Sequence, residues 1–213
     1  ISSISEKKSV PQEETFFSNL RIRNREKIFL PGLIIVGSYV ELSSIQLKNL
    51  LEISNCKPIE LDVFEFFKIT SLVNNQTQRN LFKNKFLKEI RFSFQKGKTP
   101  VLFTSRKFMS LDYSEQFNFY NSLAFFIAEL VADLKYEIGY LISKGGITTN
   151  VILSNGLNAD YVYLEGQILT GISVVSYKLK NDEKLPIVTH PGNIGNKDSL
   201  VNIWKAFENK NNF

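Results

Sequence analysis

Cysteine and histidine are almost absent from this sequence. Among 213 residues there is one cysteine, Cys56, and one histidine, His190. A single cysteine excludes a disulfide bond within the chain, and one residue of each type is too few for a Cys/His zinc site. We therefore predict that Cys56 is a small buried side chain, that the chain has no metal site of its own, and that the protein is cytoplasmic.

Long apolar runs and the common phosphate-binding fingerprints are also missing. No apolar run approaches the ~18 residues of a membrane span, and no signal peptide opens the sequence. Neither GxxxxGK[ST] nor GxGxxG occurs, which excludes a standard P-loop and the usual dinucleotide fingerprint. The first residue is Ile1 rather than Met, so one interpretation is that the chain is a fragment of a longer protein.

Charge of one sign is not concentrated anywhere. The chain carries 26 Lys and Arg against 21 Asp and Glu, a net charge of +5. These cations are scattered, and no DNA- or RNA-binding signature accompanies them, so we predict neither a nucleic-acid partner nor a membrane partner. A lysine-rich solvated surface is the simplest interpretation.

The patterning that is present is typical of an α/β protein. The composition, 43% hydrophobic and 22% charged, is that of a globular domain. Apolar β-rich runs alternate with amphipathic runs, which predicts a single α/β domain with a mainly parallel, twisted sheet and helices on both faces. Residues 1–31 are predicted to be a polar linker or lead-in, and residues 32–213 to be the α/β domain.

The predicted elements can be given by number. Strands are expected at 33–38, 57–63, 99–105, 140–145, 159–169, 172–180 and 185–192. Helices are expected at 43–54, with Ser43 or Ser44 as cap, and at 76–97, 114–138, 148–157 and 197–208. The side chains expected to face the core from these helices include Ile45, Leu81, Phe125, Phe126, Leu200, Ile203, Trp204 and Phe207.

Three glycine-containing turns fall where a predicted strand is followed by a helix. They are Gly37-Ser38, Gly145-Gly146-Ile147-Thr148 and Gly192-Asn193-Ile194-Gly195. In open α/β sheets ligands bind beyond the carboxyl ends of the strands, where helix N-termini favour anions and glycine permits close backbone approach. The turns therefore predict a phosphate-binding edge. The alternative is that the glycine pair is a tight turn with Thr148 as a helix cap.

No catalytic group stands out from the residues alone. His190 has no paired nucleophile, so we interpret it as a hydrogen-bonded structural residue. The acids Asp62, Glu65, Asp112 and Asp133 are scattered and do not single out a general base. Asp198 lies beside the third turn and is expected to favour the start of the last helix electrostatically.

Taken together, the motifs resemble a known family. The segments LIIVGSYVELSSIQLKNLL, SKGGITTNVILSNG and LPIVTHPGNIGNKDSL are similar to the C-terminal nucleotide-binding domain of the four-carbon acid sugar kinase family, from Leu33 to the C-terminus. The resemblance implies ATP and Mg²⁺ as cofactors and phosphorylation of a four-carbon sugar acid such as threonate, erythronate or an oxo-tetronate. It places ATP against Ser38, Gly145, Gly146, Ile147, Thr148, Gly192, Asn193 and Gly195, and it matches the family's helix glutamine with Gln46.

Two positions depart from the family pattern. Many members carry lysine where this chain has His190 and an acid where it has Ile147; a subgroup with G-G-I-T and P-G-N-x-G turns is closer. The resemblance implies that the sugar-acid pocket and the catalytic acidic motif belong to an N-terminal domain upstream of Ile1. The alternative is a non-catalytic ligand-binding or scaffold domain that kept the fold. A homodimer is left open.

Overall fold

The computed structural model describes residues 16–71, 76–106 and 112–208, apart from the side chains of residues 113 and 114. The strands are β1 Gly32–Val36, β2 Cys56–Leu61, β3 Thr99–Thr104, β4 Tyr140–Lys144, β5 Tyr163–Leu169, β6 Ile172–Lys178 and β7 Lys184–His190. The helices are α1 Phe16–Asn19, α2 Glu41–Leu51, α3 Val63–Thr70, α4 Gln76–Gln95, α5 Tyr113–Leu134, α6 Gly146–Val151 and α7 Ser199–Glu208. A π-helical turn, Ile152–Gly156, continues α6 directly.

The strands form one sheet in the order β2-β3-β1-β4-β7-β6-β5. Strands β2, β3, β1, β4 and β7 are parallel to one another, while β6 pairs antiparallel with both β7 and β5. The predicted α/β fold with a mainly parallel sheet is confirmed. The antiparallel margin follows from the short Leu169–Ile172 connection, since parallel neighbours need a long crossover.

Alternate residues of the central strands supply two separate cores. Leu33 and Ile35 of β1 pack with side chains of α4 and α5 on one face of the sheet, and Ile34 and Val36 pack with those of α2 and α7 on the other. All five residues of β1 are buried, which explains why this strand reads as a continuous apolar run rather than an alternating one. Helices therefore cover both faces, as predicted.

Helix α7 buries the face that its sequence predicts. Leu200, Ile203, Trp204 and Phe207 are all buried, at the three- and four-residue spacing of one helical stripe. Trp204 Nε1 donates to Thr99 Oγ1 at 3.1 Å, so its polar atom is satisfied inside the core. Cys56 is buried as well, as expected.

Three side chains predicted to face the core are instead exposed. Ile45 is 42% exposed, Leu81 66% and Phe125 44%. The residue that follows each of them is buried, namely Gln46 and the two phenylalanines that were also predicted to face the core, Phe82 and Phe126. Successive helical residues are about 100° apart, so only one of two adjacent residues can lie at the centre of the buried stripe.

Two local predictions also need correction. Helix α3 was not predicted; Asp62 ends the second strand region and caps this helix by accepting from the backbone amides of Phe64 and Glu65. Helix α2 begins at Glu41, with Val40 as its N-cap residue and no side-chain cap. Ser43 is buried and bonds elsewhere, as described below, so it is not available as a cap.

Residues 16–31 pack against the sheet domain. Phe17 is buried against Phe207 with ring centroids 6.1 Å apart, and Arg21 pairs with Glu208 at 3.2 Å. These residues of the predicted lead-in thus contact the sheet domain, and the division at residue 32 stays a prediction. Residues 1–15 of the predicted lead-in lie outside the described residues. Within the described ranges, no helix combines the length and apolar character that crossing a bilayer requires.

Candidate functional site at the carboxyl edge of the sheet

The three glycine turns follow three adjacent parallel strands. β1, β4 and β7 are neighbours, and their last residues are in register, with Val36 opposite Lys144 and Lys144 opposite His190. The turns that follow are bonded to the next strand, since the Gly37 amide donates to Lys144 O and the Gly145 amide donates to His190 O. The structure therefore brings all three predicted turns together at one edge.

Ser38 and Gly192 meet through a buried serine. Ser43 Oγ lies 2.8 Å from Gly192 O and 2.9 Å from Ser38 Oγ. Because the carbonyl can only accept, Ser43 donates to Gly192 O and accepts from the Ser38 hydroxyl. A Cβ at residue 192 would overlap Ser38 Oγ. Glycine at 192 thus allows the first and third turns to approach closely.

The two glycines of the pair differ in backbone conformation and in surroundings. Gly145 has φ of 121° and is the N-cap residue of α6, a backbone conformation that side-chain-bearing residues rarely adopt. Gly146 has no such φ, and a Cβ there would meet nothing within 4 Å. The turn therefore needs glycine at 145 for its shape, while Gly146 borders open space.

Thr148 is not a helix cap. It lies inside α6 and is buried, and a Cβ at Gly37 would overlap its Oγ1, so the first and second turns are in contact. Ile147 beside it is 64% exposed. The predicted residues Ser38, Gly145, Gly146, Ile147 and Thr148 therefore lie next to one another.

A buried glutamine on α2 fixes the third turn. Gln46 Nε2 donates to Ile194 O at 3.2 Å and to Asn196 O at 2.6 Å. The turn is closed by Ser199 Oγ, which accepts from the Asn196 amide at 2.8 Å. Asn193 and Gly195 are exposed within this turn. Asp198 accepts from Asn49 Nδ2 at 3.0 Å, so its carboxylate is already engaged by α2.

Lys144 is a candidate site residue that the sequence interpretation missed. It is fully buried, and its Nζ lies 3.0 Å from Pro191 O, 3.2 Å from Gly192 O and 3.3 Å from His190 Nδ1. Burial lowers the pKa of Lys144 to about 8, so most of its charge is kept at neutral pH. A lysine at the end of the predicted strand YLISK, directly before the glycine pair, was the available signal.

His190 is buried and neutral. Burial first, and then the neighbouring Lys144 charge, lower the pKa of His190 to about 4. Its Nδ1 either accepts from Lys144 or donates to Pro191 O at 2.9 Å, depending on the tautomer. Its Nε2 has no hydrogen-bond partner among the described residues. The interpretation of His190 as a hydrogen-bonded residue thus holds for one ring nitrogen only.

The carbonyl bonds orient the amides of the third turn. Lys144 Nζ donates to Pro191 O and Gly192 O. In a trans peptide the N–H and the C=O of the same peptide unit point in opposite directions. The amides of Gly192 and Asn193 therefore point away from Lys144, and neither donates to another residue in the described ranges. Free backbone amides that diverge from a buried cation are suited to an anion.

Two cavities flank the second turn. One, of about 220 Å³, is lined by Gly37 and Thr148 together with α5. The other, of about 290 Å³, is lined by Gly146 and Thr149 on one side and His190 on the other. The described residues contain no cluster of three or more Asp, Glu, His or Cys side chains that could hold a metal ion.

Known structures share this fold. A DUF1537 protein of Bordetella bronchiseptica, crystallised with citrate as a domain-swapped dimer, has a TM-score of 0.63 and 18% identity over 86% of this chain and 42% of its own. A Salmonella typhimurium LT2 protein, provisionally named a tRNA synthase, has a TM-score of 0.66 and 14% identity over 84% and 42%. The chain thus spans about two fifths of these proteins. No curated protein matches it.

The family assignment comes from the sequence itself. Residues 33–200 match the family described as the nucleotide-binding C-terminal domain. This range contains all three turns, Lys144 and the two cavities, and it confirms the resemblance that the motifs indicate. The chain therefore belongs to the nucleotide-binding C-terminal domain family.

Proposed function

We propose that this chain is the ATP-binding half of a kinase that phosphorylates a four-carbon sugar acid of the threonate, erythronate or oxo-tetronate type. The observation that carries the proposal is the convergence of the three glycine turns on adjacent parallel strands. In open sheets this edge is where ligands bind. Membership of a nucleotide-binding family supports a nucleotide as that ligand.

The turns offer phosphate the groups that it requires. The Gly192 and Asn193 amides are free within the described structure, and the Lys144 charge lies behind them. Ser38 adds a hydroxyl, and the open space at Gly146 lets a ligand approach the backbone. Gly145, Ile147, Thr148 and Gly195 shape the same edge. Amides and a cation held in place before binding stabilise phosphate charge without reorganisation.

Mg²⁺ would enter this site with the nucleotide. In kinases the ion is held largely by phosphate oxygens and water with one or two carboxylates, and its chemistry is to neutralise charge on the transferring phosphoryl group. The side chains described here would hold and orient the phosphates. By the resemblance to the four-carbon acid sugar kinases, the sugar-acid pocket and its proton-accepting carboxylate would belong to an N-terminal domain. Asp198, the carboxylate beside the third turn, is bonded to Asn49.

Calorimetry with Mg-ATP tests nucleotide binding. We expect measurable heat for the chain, and about tenfold weaker binding, or 1.4 kcal/mol, for Gly146→Val, because the new side chain occupies the space at the turn. Ser154→Val, on the exposed side of the adjoining π-helical turn, is the matched control and should bind as the parent does. The proposal is refuted if millimolar Mg-ATP produces no binding heat and no thermal stabilisation of the chain.

The second candidate is a non-catalytic ligand-binding domain. It is favoured by Ile147 and by the absence of a carboxylate cluster within the described residues. The full-length protein distinguishes the two: sugar-acid-dependent ADP release supports the kinase, whereas ATP binding without turnover on any four-carbon acid supports the second candidate. A homodimer is likewise a proposal, which light scattering on the same sample tests.

A further inference from the structure

The cavity of about 220 Å³ beside α5 is continuous with the glycine turns. Gly37 and Thr148, which touch one another, form part of its wall. The remainder comes from α5, where Leu123, Ala124 and Ile127 form an apolar floor. A ligand held on the turns therefore has this cavity as its immediate neighbour.

Large apolar side chains surround the mouth of the cavity and stay exposed. Phe117 is 60% exposed, Ile147 64% and Tyr39 60%, and all three line the cavity. Tyr39 is stacked on Tyr120 with centroids 5.5 Å apart and planes at 22°. Exposed aromatic side chains grouped around a concave apolar surface indicate a binding site more than a folding requirement.

The lining disfavours an anionic occupant. Among the described residues, none that lines the cavity is charged, so neither a sugar acid nor a phosphate would find a compensating cation within this lining. The polar groups are the amides of Gln116 and Asn121 and the Thr104 hydroxyl. Amides both donate and accept hydrogen bonds, which suits the edge of a neutral heteroaromatic ring.

The volume of the cavity is suited to a single ring system. Pockets for whole drug-sized ligands span roughly 300–1,000 Å³, so a cavity of about 220 Å³ fits a part of a nucleotide and not all of it. We infer that this cavity binds the nucleotide base, stacked among Tyr39, Phe117 and Tyr120, while the glycine turns hold the phosphates. This inference rests on the proposed function and assigns one portion of the same ligand.

The test separates base from phosphate by using three ligands. Binding of Mg-ATP, adenosine and inorganic tripolyphosphate is measured by calorimetry for the parent chain and for Phe117→Ala. We expect the variant to bind ATP and adenosine about tenfold more weakly, since base–aromatic stacking is worth about 1–3 kcal/mol. Tripolyphosphate binding should stay within about twofold, because this ligand lacks the base.

Phe125→Ala is the matched control. Phe125 is also exposed and lies on the same helix, but it does not line the cavity. This variant should bind all three ligands as the parent does. Circular dichroism and thermal unfolding of both variants show that the fold is intact, as expected for exposed side chains.

Each outcome decides the inference. If Phe117→Ala leaves ATP affinity unchanged, or weakens ATP and tripolyphosphate equally, or if Phe125→Ala has the same effect, the base does not occupy this cavity. If the parent binds tripolyphosphate but gains no affinity from the base, the inference fails while a phosphate site remains. If the parent binds neither ATP nor tripolyphosphate, the proposed function itself has failed.

Discussion

The Nζ of Lys144 lies 3.3 Å from the Nδ1 of His190. The two residues end neighbouring parallel strands, in register, and both are buried. A buried cation beside an imidazole keeps that imidazole neutral. The lysine also holds two carbonyls of the third turn. This pair therefore links the sheet core to the surface proposed to bind phosphate.

Replacing Lys144 should affect both stability and binding. Lys144→Met removes the donor to Pro191 O and Gly192 O, and losing such partners costs about 1–3 kcal/mol each, partly offset because no charge is then buried. We expect a net loss of stability and at least about tenfold weaker Mg-ATP binding. Urea unfolding and calorimetry measure these quantities.

The exposed Lys48 of α2 supplies the control for this prediction. Lys48→Met changes the net charge equally but should leave stability and affinity unchanged. Equal effects of the two substitutions would show that only the overall charge matters. Unaltered ATP affinity in a folded Lys144→Met variant would contradict the role given to the buried cation.

His190 should make stability depend on pH in acid. Its pKa is about 4 in the folded chain, against an ordinary value of 6.5. Between these values the unfolded chain binds more protons, so stability rises with pH across this window and is lost as pH falls through it. The largest contribution is about 3 kcal/mol.

Urea unfolding from pH 4 to 7 measures this dependence. His190→Gln keeps a polar side chain but cannot titrate there, so its stability curve should be flatter than the parent's. The chain has no other histidine that could produce the same slope. Parallel curves for the two proteins would show that His190 is not the titrating group.

The two adjacent glycines should respond differently to alanine. Gly145→Ala forces a side-chain-bearing residue into φ of 121°, where the strain is about 1–3 kcal/mol, and its Cβ would lie 3.0 Å from the Ser38 amide nitrogen. Gly146→Ala places a methyl group in open space. We expect a clearly lower thermal midpoint for the first variant only. Equal midpoints would contradict the assignment of the strained conformation to Gly145.

The isolated chain should have no sugar-acid kinase activity even if it binds ATP. Phosphoryl transfer requires the acceptor hydroxyl to be held in line with the γ-phosphate, usually beside a positioned carboxylate. A coupled ADP-release assay with threonate, erythronate and their oxidised relatives checks this, with the full-length protein as positive control. Turnover by this chain alone would direct attention to Asp198, Glu165 and His190.

The sequence by itself determined the class of fold and the position of the candidate site. The run LIIVG predicted a buried strand ending in a turn, because it is short, rich in β-branched residues and followed by glycine. The positions of the three glycine turns could be predicted for the same reason, since a turn depends on residues that are close together in the sequence. Parallel order then implied a shared edge, and the motifs indicated the family.

Tertiary structure decided everything that depends on which groups meet. Leu81 and Phe125 are about as apolar as their buried neighbours Phe82 and Phe126, and Ile45 is more apolar than the buried Gln46, so tertiary packing alone selected between them. The sequence shows Lys144 only as a lysine at the end of a strand. Its contacts with Pro191, Gly192 and His190 exist because β7 pairs with β4. The cavity beside α5 joins residues from the turn after β1 and from β3, α5 and α6. Such contacts link positions that are distant along the chain, so no local pattern records them.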